Sequence, residues 1–292
     1  MAAPHVATKI NTDRLIKNAA RLYSLPEVVM RLDALIDDPN SSFSEIGGVM
    51  SEDTALASRV LRIANSALFS LPSKIETISR AMTVIGTQQL RDLVFASSVI
   101  KLFSGVSDEF VSMEAFWRHS IGCGIAARVI AIARREANVE RYYTLGLLHD
   151  IGRLIIYSEL PEHAQQLLSE SHKRSQLLYE VEREISGLDH ARIGGKLLKE
   201  WGLPASNIEA VAYHHSPMLA ERYLLETATV HVADIIANSM QLGSSGERFV
   251  PPLNNDAWAL LTIQAKMLPA LLHQINEQYH EAVKLFLGDD DE

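Results

Sequence analysis

The stretch Thr-Leu-Gly-Leu-Leu-His-Asp-Ile-Gly-Arg, residues 144–153, sets His149 and Asp150 among closely spaced apolar residues. An ionised carboxylate in such surroundings must be paired, hydrogen-bonded or bound to a cation, because removing it from water without compensation is prohibitive. The apolar residues around the pair fall at helical spacing. Working outward, the same spacing recurs along almost the whole chain, and no segment sustains the polar–apolar alternation of a half-buried strand. The chain is therefore expected to be all-α.

Punctuation supports this reading and divides the chain. The spacing predicts a helix from Glu27 to Ile36, stopped by Asp37-Asp38-Pro39-Asn40. A second is expected near Ser42, where Ser42-x-x-Glu45 has capping-box spacing. A third is expected to start at Ser51, with Leu56, Val60, Ile63 and Ala67 as its buried stripe and a break at Leu71-Pro72-Ser73. Helices resume over Thr77–Ile85 and Gln88–Phe103, with Gly86 at the corner. After Ser104-Gly105-Val106-Ser107-Asp108 the pattern restarts, so two helical lobes are expected, residues 1–107 and 108–287. The second lobe should hold helices over Met113–Arg135, Tyr142–Tyr157, Pro161–Lys173, Ser175–Ser186 and His190–Trp201. Further ones are expected over Ala205–His214, Leu224–Leu242 and Asp256–Phe286, before a disordered acidic tail at 288–292.

With 292 residues, 47% hydrophobic and 22% charged, the chain fits an ordered globular protein. Its formal charge of −9 argues against nucleic acid as its main partner, since phosphate neutralisation needs a basic face. The hairpin over Phe43–Ala67, with Arg59 and Arg62 read as exposed, is expected to be a packing unit rather than a DNA reader, and Ala81–Arg91 likewise. Cys123 stands alone, which excludes an intramolecular disulfide. Between Gly122 and Gly124 it reads as a packed core thiol. No signal pattern and no apolar run of about 20 residues is present, so a soluble, cytoplasmic protein is expected, with no membrane partner.

Beside His149 and Asp150, a second aspartate, Asp234, lies within Val230-His231-Val232-Ala233-Asp234-Ile235-Ile236-Ala237, under the same constraint. His119 lies 30 residues before the pair, His190 follows Asp189 at a helix start, and His214-His215 closes another helix. Each histidine alone reads as an ordinary core or surface group. The residue types together are those of a metal site, provided the helices converge.

The order His119, His149-Asp150, Asp234 is similar to the H…HD…D pattern of the HD superfamily of metal-dependent phosphohydrolases. Asp189-His190-Ala191-Arg192-Ile193-Gly194, then Trp201-Gly202-Leu203-Pro204 and His214-His215, resembles the HDOD family in particular, as does Leu68–Gly86. The resemblance covers about residues 15–240 and implies an HD-like helical C-terminal lobe with an N-terminal lobe packed beside it. It further implies a signal-transduction module that works through a protein partner or a nucleotide-like small ligand. By similarity to the related HD-GYP phosphodiesterases, His119, His149, Asp150, His190, His214, His215 and Asp234 would be metal ligands, with Asp150 bridging two ions. A mixed imidazole and carboxylate set suits divalent Fe, Mn, Co or Zn. The alternative the resemblance implies is an active metal-dependent phosphohydrolase, with Arg153 contacting phosphate. Two departures stand out: Ser216-Pro217-Met218 carries no GYP signature, and Arg153 stands where those enzymes usually have lysine.

Overall fold

The computed structural model describes residues 11–66 and 74–288. Its first six helices are α1 (Thr12–Leu22), α2 (Glu27–Asp37), α3 (Phe43–Glu52), α4 (Thr54–Ala64), α5 (Ile78–Ile85) and α6 (Thr87–Leu102). Next come α7 (Met113–Arg134), α8 (Val139–Leu148), α9 (Ile151–Glu159), α10 (Pro161–Arg174) and α11 (Leu178–Ser186). The last five are α12 (His190–Glu200), α13 (Ala205–Tyr213), α14 (Leu224–Ser239), α15 (Asn255–Leu261) and α16 (Leu268–Leu287). Among the described residues there is no strand, and the all-α expectation holds. No described helix is long and apolar enough to cross a membrane.

α7 is the centre of the fold. Apolar or small residues occupy all its sides from Phe116 to Ala131, as expected of a helix enclosed by others. It packs against α8, α14 and α16. Where a charge does enter this core it is matched: Arg128 Nε donates to Glu140 at 2.9 Å, both side chains being buried. Cys123 is buried, as read, and burial pushes its thiol pKa up.

Local chemistry sets several helix starts. The Ser42 hydroxyl accepts from Glu45 N at 3.2 Å while the Glu45 carboxylate accepts from Ser42 N at 2.8 Å, a complete capping box. The expected start at Ser51 is incorrect. Asp53 is the cap, accepting from Leu56 N at 2.9 Å, whereas the Ser51 hydroxyl bonds back to Gly47 O inside α3. Arg59, expected at the surface, instead turns its guanidinium inward to Ser97 O and Oγ. The span Asp256–Phe286 is two helices, because Thr262 takes a left-handed conformation and ends α15. Ala67, the break at Leu71-Pro72-Ser73, part of the Leu68–Gly86 segment and residues 289–292 of the acidic tail lie outside the described residues.

The periodicity reading did not include α1. Its Leu15, Ile16 and Ala19 are buried, and it packs on α12 and α9, far along the chain. Lys196 Nζ donates to Asp13 at 2.9 Å, and Trp201 Nε1 donates to Tyr23 O at 3.0 Å. α2 and α4 pack on α6, and α6 on α8, so α2 to α6 are joined to α7 by way of α8.

Candidate metal centre

The sequence predicts one helix through His149 and Asp150; the structure breaks it there. His149 keeps helical angles, but Asp150 at φ −99°, ψ 8° leaves the helix, and α9 begins at Ile151. Two glycines bracket the break. A Cβ on Gly146 would lie 2.6 Å from Cys123 O, and one on Gly152 would lie 2.0 Å from His190 O. Their bare backbones let α8 press on α7 and α9 press on α12, which aims His149 and Asp150 at residues from both.

The expected convergence occurs. His119 comes from α7, His190 opens α12, His214 and His215 follow α13, and Asp234 lies on α14. One group surrounds Asp150 Oδ2: His149 Nε2 at 3.4 Å and His119 Nε2 at 3.7 Å, with Asp234 Oδ1 3.2 Å from His119 Nε2 and 3.5 Å from His149 Nε2. The other faces Asp150 Oδ1: His190 Nε2 at 2.8 Å and His214 Nε2 at 3.9 Å, with His215 Nε2 3.1 Å from His190 Nε2. Each group offers at least three donor atoms close enough to share one ion. Asp150 joins them through its two oxygens.

Most of the rings are oriented from outside. His149 Nδ1 donates to Gly146 O at 2.6 Å, His214 Nδ1 to Val211 O at 2.8 Å, and His190 Nδ1 to the Glu182 carboxylate at 2.6 Å. These bonds leave Nε2 directed inward, the arrangement by which ligating histidines are held. His119 Nε2, His149 Nε2, His214 Nε2 and Asp150 Oδ1 are buried without a hydrogen-bond partner. Buried polar atoms are nearly always satisfied, so four orphans around one point fit a cation bound there. The residues present therefore suit a divalent transition ion.

Electrostatics agree with this geometry. Desolvation would raise the Asp150 pKa, but His149, Arg153 and His190 hold it well below the usual carboxylate range. Asp234 is likewise held low against its own desolvation, by His119 and His149. Burial disfavours charge on His190, yet Glu182 and Asp150 raise its pKa to about 9, whereas burial and the neighbouring His149 and His190 push His214 down to about 3.

Arg153 is buried against Asp150, its Nε 3.5 Å from Oδ1, with Ser245 O at 3.3 Å and Glu247 at 3.9 Å. Six of the seven candidate ligands are buried and only His215 is half-buried, stacked on Tyr179 at 4.0 Å beneath the Arg183 guanidinium. Asp189 stays outside the cluster as the cap of α12, held by Arg183. Sequence reasoning missed Glu182, Asn238 and His231. Glu182 interrupts the apolar stripe Leu178, Val181, Ile185, which was a usable signal, and Asn238 sits four residues after Asp234, donating to its carboxylate at 2.7 Å. His231 holds His214 O at 2.7 Å and accepts from Asn254 N at 3.0 Å, and nothing local to it announced that role.

The HDOD domain family model matches residues 22–217, two thirds of the chain. The chain belongs to the HDOD family. Among solved structures this HDOD protein is similar to an HDOD domain protein of unknown function from Geobacter sulfurreducens, with a TM-score of 0.75, 25% identity and coverage of 95% of this chain and 100% of that one. It is also similar to a candidate phosphohydrolase from Shewanella amazonensis, with a TM-score of 0.72, 26% identity and coverage of 94% and 97%. A curated but uncharacterised protein from Treponema pallidum is 27% identical over 213 residues, 72% of this chain. This chain spans 41% of that relative's length.

Proposed function

We propose that this HDOD protein is a cytoplasmic signal-transduction module built around a buried centre for one or two divalent transition ions, Fe, Mn, Co or Zn. His119, His149, Asp150 and Asp234 would hold one ion; Asp150, His190, His214 and His215 would hold the other. The observation that carries the reading is the set of inward Nε2 and carboxylate atoms that meet at Asp150 without hydrogen-bond partners. Its output passes through a protein partner or a nucleotide-like small ligand rather than nucleic acid, in keeping with a net charge of −9. The near-complete burial of the ligand set supports a regulatory or structural centre, in which metal binding adds directly to folding free energy.

Elemental analysis of the purified, chelator-free chain beside Asp150→Ala tests this. One or two equivalents of metal are expected in the parent and little in the variant. No metal after anaerobic reconstitution would overturn the reading.

A second reading, a metal-dependent phosphohydrolase, draws support from the division of donors across the two Asp150 oxygens and from the likeness to the Shewanella protein. In that reading bound ions supply Lewis acidity toward a phosphate ester, Arg153 holds a phosphate oxygen, and entry runs past His215 and Tyr179. Metal-stimulated phosphate release, abolished in His149→Ala, is the result it requires. Silence across a broad phosphoester panel with metal loaded would sink it.

A further inference from the structure

A second site lies beside the first turns of α8, before the HD pair. A cavity of about 370 Å³ opens between α2, α6 and α8 and the turn joining α12 to α13. That volume is at the small end of ligand pockets, which run from about 300 to 1,000 Å³. Val29, Leu32, Phe95 and Trp201 supply its apolar lining. The Trp201 ring is held by its bond to Tyr23 O and by an edge contact with Phe95, with ring centroids 6.4 Å apart. Asp92, Asn138 and Arg141 supply its polar lining.

Two of these polar groups lack adequate partners. The Asp92 carboxylate accepts one bond, from Asn138 Nδ2 at 3.5 Å, the limit of hydrogen-bond distance, and no Lys or Arg among the described residues lies within ion-pair reach of it. Desolvation pushes its pKa up to about 6, against the more distant pull of Arg91, Asn138 and Arg141. Arg141 is tied to Glu226 through one Nη, but its Nε is buried without a partner. The Asp92 carboxylate lines the cleft and marks a place where a ligand supplies donors that the protein does not, whereas Arg141 Nε is sealed from the cleft.

Their chemistry specifies that ligand. An ionised aspartate only accepts and a guanidinium only donates. The ligand must present adjacent N–H donors to Asp92, an acceptor to the Asn138 amide, and a flat face to Phe95 or Trp201. A lactam–amidine edge does this: guanine carries donors at N1 and N2 beside the O6 acceptor. Adenine offers one donor and one acceptor there and would point a lone pair at the carboxylate. We propose that this cleft binds a guanine-type base, as nucleoside or nucleotide, with Asp92 reading the N1 and N2 donors. It shares no side chain with the candidate metal centre, so it stands or falls independently of that centre.

Calorimetric titration of the metal-free full chain with guanosine, GMP and adenosine, followed in parallel by tryptophan emission, tests the proposal. Guanosine and GMP are expected to saturate one site and change Trp201 emission, with adenosine about tenfold weaker or more. Trp201→Phe should lose most of the optical change and keep measurable heat. Asp92→Asn replaces an acceptor pair by one acceptor and one donor, so guanosine should weaken by about tenfold and adenosine gain on it. Asn138→Asp, which keeps the cap on α8 but deletes the amide donor, should weaken guanosine several-fold and supplies a second readout should Asp92→Asn not fold. No heat with guanosine or GMP at millimolar concentration, equal binding of adenosine, or unchanged preference in a folded Asp92→Asn would each overturn the proposal.

Discussion

Gly152→Ala is the sharpest test of how the candidate centre is built. The added methyl would lie 2.0 Å from His190 O, 2.7 Å from Gly194 N and 2.9 Å from His190 C, whereas ordinary contact begins near 3.4 Å. All three opposing atoms are backbone, so no flexible side chain can yield, and α9 and α12 must part by about 1 Å. Overpacking of this kind costs about 1–3 kcal/mol, and a backbone clash belongs at the upper end. In a chain of this size about 3 kcal/mol lowers Tm by roughly 6 °C. The same displacement carries Asp150 away from His190, beyond the tolerance of about 0.5 Å within which such constellations work. Metal affinity should therefore fall by at least about tenfold. Thermal melting of the chelated protein measures the first effect and metal titration the second. Gly48→Ala is the control: nothing lies within 4 Å of its Cβ, and in the interior of α3 it should be neutral or stabilising by up to about 1 kcal/mol. A Gly152→Ala protein with parental Tm and parental metal content would refute the claim that helix approach at this glycine positions the centre.

Three further outcomes are expected. Glu182→Leu removes the acceptor that orients His190 and should lower metal affinity by about 10–100-fold while the far-UV spectrum stays parental, read by competition with a chelator; parental affinity would count against that role. Asp92 holds its proton more tightly folded than unfolded, with a pKa of about 6 against 3.8, so its contribution to stability falls as pH rises from about 4 to about 6 and stays low above. Desolvation dominates that shift, with Arg91 and Arg141 opposing it and Glu140 adding to it. Asp92→Asn should therefore gain about 1–2 kcal/mol over the parent between pH 4 and pH 7, after allowance for screening in an open cleft, and denaturant melts with a constant difference across that range would contradict it. Glu140→Leu removes the buried carboxylate that Arg128 Nε contacts at 2.9 Å, while the guanidinium keeps its other contacts, Gln278 at 3.1 Å among them; a loss of about 2 kcal/mol is expected, and a Tm within about 1 °C of the parent would rule it out.

The helical class was legible because apolar periodicity is a property within each element, and the capping box at Ser42 and Glu45 is a contact between residues three apart. The candidate ligands were legible as residue types for a related reason: Asp150 and Asp234 stand among apolar neighbours that would not tolerate an uncompensated charge. Local pattern was insufficient where packing overrode it. Residues 142–157 have unbroken helical spacing, yet the chain turns at Asp150 because Gly146 and Gly152 dock on different helices, α7 and α12. Glu182 reaches His190 and α1 reaches α12 only once the helices are stacked, and no spacing rule relates residues 183 positions apart. The Asp92 cleft exists only between elements, since α2, α6, α8 and the turn joining α12 to α13 all line it. The sequence by itself determined that the chain would form amphipathic and enclosed helices and would need to neutralise two buried aspartates. Which side chains meet around Asp150, and that its two oxygens face two separate groups, only the tertiary structure decided, because that depends on how closely helix backbones approach.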